Sequence, residues 1–207
     1  MPYSYSLYSQ DFHSMFDKLR AYFERSFSLS DVEFDIMKRE FTPRNLKKGE
    51  FIHREGEVTK YGAWVAQGIV RSYIIDQKGK EHIVQFAAEN WWISDFNSLN
   101  KGEPSLYFID ALEDSEILLI DFPSMKKLLA AIPAFAAHFQ KGITTHTASK
   151  ERRIIASIST SAEDRYKDFL KSYPGIAQRV PQHMLASYLG VSPETLSRVR
   201  KQMSQKK

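Results

Sequence analysis

The chain has 207 residues, 43% of them hydrophobic, and no cysteine. That length holds one large cored domain or two small ones. The missing cysteine excludes disulfides, thiolate zinc sites, cysteine-held iron–sulfur clusters and thiol redox sensing, and it suits the cytoplasm. The formal net charge of +4 hides an asymmetry: residues 150–207 carry 12 Lys/Arg against 5 Asp/Glu, whereas residues 1–149 carry 17 against 20. Positive charge gathered at the C-terminal end is what a nucleic-acid footprint requires.

No apolar run approaches the ~20 residues of a membrane span, so no membrane partner is expected. No basic segment leading into an apolar core opens the chain, so no secretory signal is expected. Residues 1–10, MPYSYSLYSQ, lack periodicity and read as a loose arm. Apolar residues then recur at Phe12, Met15, Phe16, Leu19, Tyr22 and Phe23, the spacing of an amphipathic helix. Ser30 caps a second short helix running through Val32, Phe34, Ile36 and Met37.

The character changes at residue 44. Six of the nine glycines fall between Gly49 and Gly102, separating the β-rich runs FIH, YGAWVA, IVRSYII, HIVQF, LYFIDAL and EILLIDF. Asp76-Gln77-Lys78-Gly79 is a hairpin connection. Many short strands with glycine turns and no intervening helices predict an antiparallel sandwich or jelly roll. Pro123 interrupts the last strand, and a short helix follows over Ser124–Ile132.

Pro133 opens a long helix to about Ile158, with Phe135, Phe139, Ile143, His146, Lys150, Ile154 and Ile158 on one stripe. That stripe is buried either on the chain's own barrel or against a second copy; a dimer seam is expected. Thr160 or Ser161 caps another helix, Ala162 to Ser172, which Tyr173-Pro174-Gly175 ends.

Gln182 to Lys201, QHMLASYLGVSPETLSRVRK, reads as a helix-turn-helix. Gly190 supplies the positive φ that ends one helix. Ser192 caps the next, with Pro193 at its first position and Glu194 and Thr195 in its first turn. Leu185, Leu189, Leu196 and Val199 hold the apolar register, and Ala186 is small where two helices approach. The outer face of the second helix carries Glu194, Ser197, Arg198 and Lys201, near enough to its start to reach base edges in a major groove. Gln182, Ser192, Pro193, Thr195 and Arg200 complete the candidate DNA-binding set. Only Gln202 to Lys207 follow, too few for a two-stranded wing at that end.

Jelly roll, long helix and helix-turn-helix in that order resemble the cyclic-AMP receptor protein / fumarate-nitrate regulator (CRP/FNR) family. The most specific part is RVPQHMLASYLGVSPETLSRVRKQ, from Arg179 to Gln202. LKKGEFIHREGE (Leu46 to Glu57) and WVAQGIVRSYIIDQKGKE (Trp64 to Glu81) look like the first strands of the family's cyclic-nucleotide-binding-type domain. The resemblance implies an α+β chain: an arm and helices over 1–43, a β-roll sensor over 44–132, a dimerisation helix over 133–158 and a helix-turn-helix domain over 159–207. It also implies a homodimer on a double-stranded DNA operator, with RNA polymerase as a further partner and Glu194, Ser197 and Arg198 at base-contacting positions. Pro193 departs from the basic residue that some members carry there.

In members that bind cyclic AMP, a Gly-Glu pair holds the ribose and an Arg-Ser pair follows for the phosphate. Here Ser94-Asp95 and Pro104-Ser105 stand at those places. Proline cannot neutralise a phosphate, so cyclic AMP is not the expected ligand. Another small-molecule effector would draw on Trp91, Trp92, Ser94, Asp95, Ser105 and His146.

Two rival readings stand beside the regulator. One is a ligand-binding jelly-roll module without DNA binding. The other is a metal-dependent cupin-like enzyme, which is disfavoured because the barrel region holds only His53 and His82, with no His-x-His pair. No phosphate-cradling glycine loop, nucleophile elbow or His-Glu-x-x-His motif occurs. Glu81-His82 and Asp164-Arg165 read as surface residues. No metal, cofactor or catalytic residue is expected.

Overall fold

The computed structural model describes residues 10–205. The segment expected as a loose arm lies outside the described residues, except for Gln10, which opens the first helix. In chain order the elements are α1 (Gln10–Glu24), α2 (Asp31–Glu40), β1 (Thr42–Leu46), β2 (Phe51–His53), β3 (Tyr61–Gln67), β4 (Val70–Ile75) and β5 (Glu81–Ala87). Then come β6 (Trp92–Ile93), α3 (Phe96–Lys101), β7 (Phe108–Ala111), β8 (Ser115–Asp121), α4 (Phe122–Ala131), α5 (Pro133–Ser159), α6 (Ala162–Ser172), α7 (Gln182–Leu189) and α8 (Pro193–Gln205). No helix among the described residues is long and apolar enough to cross a membrane.

The chain divides into two compact units, Met1–Val70 with Ala87–Lys141, and Arg71–Phe86 with Gly142–Lys207. These units cut the chain differently from the boundaries read at residues 43, 132 and 158. Most of the β4–β5 hairpin joins the C-terminal unit, and α5 contributes to both.

The strands form two four-stranded sheets. One, in the order β1-β8-β3-β6, lies wholly in the first unit and is antiparallel throughout. Side chains alternate across a strand, and here both faces are covered. On β3 and β8, Trp64, Ala66, Leu118 and Ile120 face a helical layer holding Met15, Leu19, Phe23, Phe34, Met37, Leu128 and Phe135. Ala63, Val65, Ile117 and Leu119 face the roll interior with Leu46, Val70, Ala87, Ile93, Ile109 and Ala111. This explains why YGAWVA and EILLIDF read as continuous apolar runs rather than as alternating ones. Gly68 turns the chain after β3 with φ +100°, and a Cβ there would lie 2.2 Å from Ser115 Oγ. Only glycine fits.

The roll differs from the sequence reading in four places. β1 is the run TPRNL, whose proline and polar residues hide a strand paired along its whole length with β8. β6 is two residues long. A helix, α3, interrupts the strands, capped by Asp95 and ended by Gly102 at φ 70°. Pro123 does not interrupt a strand: β8 ends at Asp121, whose side chain caps α4 through the Ser124 N–H at 2.7 Å, and Pro123 sits in the first helical turn. A proline there loses no hydrogen bond.

In the second unit, β4 and β5 meet at the expected turn, with Gly79 at φ 78° and its N–H bonded to the Asp76 carbonyl. The α6–α8 core is Tyr166, Phe169, Ile176, Val180, Leu185, Ala186, Leu189, Leu196 and Val199, all buried. Ser161 caps α6. Arg165 is half-buried rather than a plain surface residue. Its Nη1 donates to the carbonyls of Ala156, Ser157 and Thr160 at 3.3, 3.4 and 2.7 Å, neutralising the end of α5.

Candidate nucleic-acid interface

The helix-turn-helix has the geometry that its glycine and serine demand. Gly190 takes φ 67° and its N–H bonds back to Ala186 and Ser187. Ser192 Oγ accepts from the Thr195 N–H at 3.2 Å, so α8 starts with a side-chain cap and Pro193 in the first turn. Ala186 on α7 and Leu196 and Val199 on α8 are all buried, and a small residue such as Ala186 lets two packed helices approach closely. The buried stripe of α8 fixes which side is left outward. Glu194, Ser197 and Arg198 are exposed, and so is Lys201 one turn on. With Pro193 they line a shallow concavity of about 500 Å³.

The other candidates on this pair have local partners. Thr195 is half-buried, its hydroxyl 3.1 Å from that of Ser192. Gln182 accepts from Arg200 at 3.3 Å and donates to the Pro193 carbonyl at 3.4 Å, tying the start of α7 to α8. Glu194 is held below the usual carboxylate range by hydrogen bonds from its own backbone N–H and from Ser192, so it is an acceptor at neutral pH.

Within the first unit the candidate effector residues do not line one pocket. Trp91 packs on the interior cluster of the roll, whereas Trp92 packs with the helical layer, its ring 6.0 Å from Phe41 and 6.3 Å from Phe139. Neighbours along an extended chain point to opposite faces, so the two indoles do not line one pocket. Ser94 bonds the Tyr61 carbonyl. Asp95 and Ser105 are buried and committed to each other. Asp95 Oδ2 accepts from Ser105 Oγ at 2.8 Å, and its Oδ1 accepts from the N–H groups of Asn97 and Ser98. Ser105 Oγ in turn accepts from the Tyr107 N–H. His146 lies on the second-unit part of α5, where burial first, then Lys150 and Arg153, lower its pKa. A concavity of about 400 Å³ on the first unit is lined instead by Arg44, Ile52, His53, Glu57, Val58, Thr59, Lys60 and Tyr61.

Residues 43–131 match the family model of the cyclic nucleotide-binding domain. Over 189 residues the chain is 24% identical to the transcriptional activator protein FnrA of Stutzerimonas stutzeri, covering 84% of this chain and 75% of that protein. It is also 24% identical over 189 residues to the fumarate and nitrate reduction regulatory protein of Salmonella typhi, covering 84% and 73%. The solved structure of FixK2 from Bradyrhizobium japonicum has the same fold, with a TM-score of 0.70 at 22% identity over 80% of this chain and 85% of that one.

The chain carries a cyclic nucleotide-binding domain and is similar to regulators of the CRP/FNR type.

In this chain the segment from Asp95 to Ser105 is knitted shut by its own side chains. Besides the Asp95–Ser105 bond, Ser98 Oγ donates to the Glu103 carbonyl at 2.6 Å and accepts from the Thr59 N–H at 2.9 Å. Sequence reasoning missed Ser98, because an isolated serine in a polar run carries no signal until α3 exists. It also missed Arg71, buried and paired with Glu81 at 2.5 Å, since an arginine in a strand reads as an outward residue. Glu81 is accordingly half-buried and paired, not a plain surface residue, and His82 bonds Asp76 at 2.8 Å.

Proposed function

We propose that this chain is a homodimeric, sequence-specific transcription regulator that reads a dyad DNA operator with α8. The carrying observation is the exposed face Glu194, Ser197, Arg198 and Lys201 on a helix whose opposite stripe is buried against α7. Arg198 donates to a guanine edge, Glu194 accepts from a cytosine amino group, and Lys201 contacts phosphate. Gln182, Ser192, Pro193, Thr195 and Arg200 flank this contact and hold its start. The dimer forms along the exposed apolar stripe of α5, where Ile143, Ile154 and Ile158 are 44, 61 and 82% exposed in the single chain. Such a regulator works in the cytoplasm and engages RNA polymerase when it activates.

The self-satisfied Asp95–Ser105 cassette supports a regulator that binds DNA without cyclic AMP. A buried carboxylate that already accepts three hydrogen bonds has no reason to receive a phosphate-bearing ligand. Any small-molecule effector therefore acts elsewhere, and the concavity beside His53 is a candidate place.

The test is selection of bound duplexes from a random DNA pool at near-physiological salt, with no ligand added. A two-fold symmetric motif with half-sites about one helical turn apart is the expected result. No enriched motif, with and without cell extract, would sink the reading and favour a ligand-binding module. Sedimentation of the Ile154→Glu/Ile158→Glu variant checks the seam, and a monomer is expected.

A further inference from the structure

The β4–β5 hairpin is tied to the first helix of the reading pair, which the proposed function does not by itself require. β5 ends its sheet, so among the described residues the backbone on its outer side has no strand partner. One side chain takes up part of that edge. The Ile83 N–H donates to Ser187 Oγ at 3.0 Å, and Ser187 Oγ donates to the Glu81 carbonyl at 3.3 Å. A hydroxyl can accept and donate at once, which neither alanine nor a carboxylate can do here.

Contacts on either side extend the tie. Phe86 on β5 lies 5.4 Å from the Tyr188 ring, and Arg71 Nη1 lies 3.6 Å from Met184 Sδ. Arg153 brings in α5: its Nη1 donates to the Val84 carbonyl at 2.6 Å, and its guanidinium sits 4.5 Å over the Tyr188 ring. Seam helix, hairpin and α7 are thus cross-tied within one compact unit. Along the chain, α5 and α7 are joined only through the helix break at Thr160-Ser161, α6 and the irregular stretch 173–181.

A dimer held along α5 presents its two α8 helices at a separation set by how rigidly α7 and α8 are held to α5. We propose that β5 is a splint for the reading head: Ser187, backed by Arg153 and Tyr188, positions α7 so that the two reading helices match one half-site spacing. This rests on the dimeric DNA-reading function. The polar face of α8 stays exposed while α7 is docked, so the splint positions the reading face and does not mask it. Ser187 is a positioning residue and touches no DNA.

The experiment uses the full chain and the selected operator, together with duplexes whose half-sites are one base pair closer or farther apart, and an unrelated duplex. Ser187→Ala should bind the selected spacing about three- to tenfold more weakly, the size of a broken hydrogen bond. Its discrimination between spacings should shrink, and its affinity for unrelated DNA should stay unchanged. Ser187→Thr, which keeps the hydroxyl, should restore the spacing preference. Arg153→Gln should reproduce the alanine phenotype from the other side of the tie and covers the case of poor folding.

Equal loss at every spacing and on unrelated DNA would make Ser187 merely structural and overturn the splint. Tighter binding by Ser187→Ala would mean that the tie is inhibitory and overturn it as well, as would no change. If Arg198→Ala also bound like the parent, the failure would belong to the reading-helix assignment, and the splint would fall with it.

Discussion

The Asp95–Ser105 cassette of the first unit and the outward face of α8 in the second are both polar, but they use polarity in opposite ways. In the cassette, one buried carboxylate and two buried serines take up each other and the backbone around them. On α8, Glu194, Ser197, Arg198 and Lys201 stand in solvent beside a fully formed apolar stripe. A polar group removed from water must find its partner inside, so the cassette is part of the fold. A polar group left in water on a rigid support is available to a ligand. The same residue types are therefore internal to the fold in one place and open to solvent in the other.

Mutation separates the two. Asp95→Ala should give the largest effect, about 2–4 kcal/mol of stability, because it removes a helix cap and leaves Ser105 and two N–H groups unsatisfied. Chemical denaturation reads that loss, and operator affinity of the folded protein should not move. Arg198→Ala should do the reverse: about 1–3 kcal/mol of operator affinity with relaxed preference at one base pair, and no change in denaturation midpoint. A destabilised Arg198→Ala, or a stable Asp95→Ala, would break the comparison.

Lys201→Ala is a smaller effect of a different kind. Binding should weaken on all sequences alike, and the slope of log affinity against log salt should become shallower by about 0.9 for each phosphate that is no longer neutralised. Unchanged salt dependence would remove Lys201 from the phosphate set.

The smallest effect comes from pH. Burial is the main cause that lowers the pKa of His53 and His138 in the first unit and of His146 in the second. A histidine that is harder to protonate folded than unfolded stabilises fully above its unfolded value. That contribution is lost as pH falls below about 6.5 toward the folded value. The melting temperature should therefore be flat just above neutral pH and decline below about 6.5. His138→Gln, which removes the 3.2 Å hydrogen bond to the Tyr22 hydroxyl, should flatten the first unit's share of that decline.

Legibility in the sequence followed the range of the interactions. Gly190, Ser192 and Pro193 each act within a turn of the chain, so α7, the turn and the start of α8 were readable to the residue. The same holds for the Ser30 cap and the hairpin at Asp76–Gly79, whereas the cap of α6 was narrowed only to Thr160 or Ser161, and the structure uses Ser161. β1 was not readable, because TPRNL becomes a strand only through pairing with β8, some 70 residues on. Trp91 and Trp92 looked like a pocket pair, yet the extended chain sends them to separate clusters. Arg71, given no role from the sequence, is buried against Glu81, Tyr73 and Met184.

By itself, the sequence determined the order of parts and the helix-turn-helix with the outward residues of its second helix. Those depend on local backbone preference and on residue chemistry, which the chain carries wherever it goes. Only the tertiary structure decided that Asp95, Ser98 and Ser105 close on each other, and that the β4–β5 hairpin packs with the helix-turn-helix through Ser187. Both depend on which distant backbone groups need a partner, and that need arises only once sheets and helices have met.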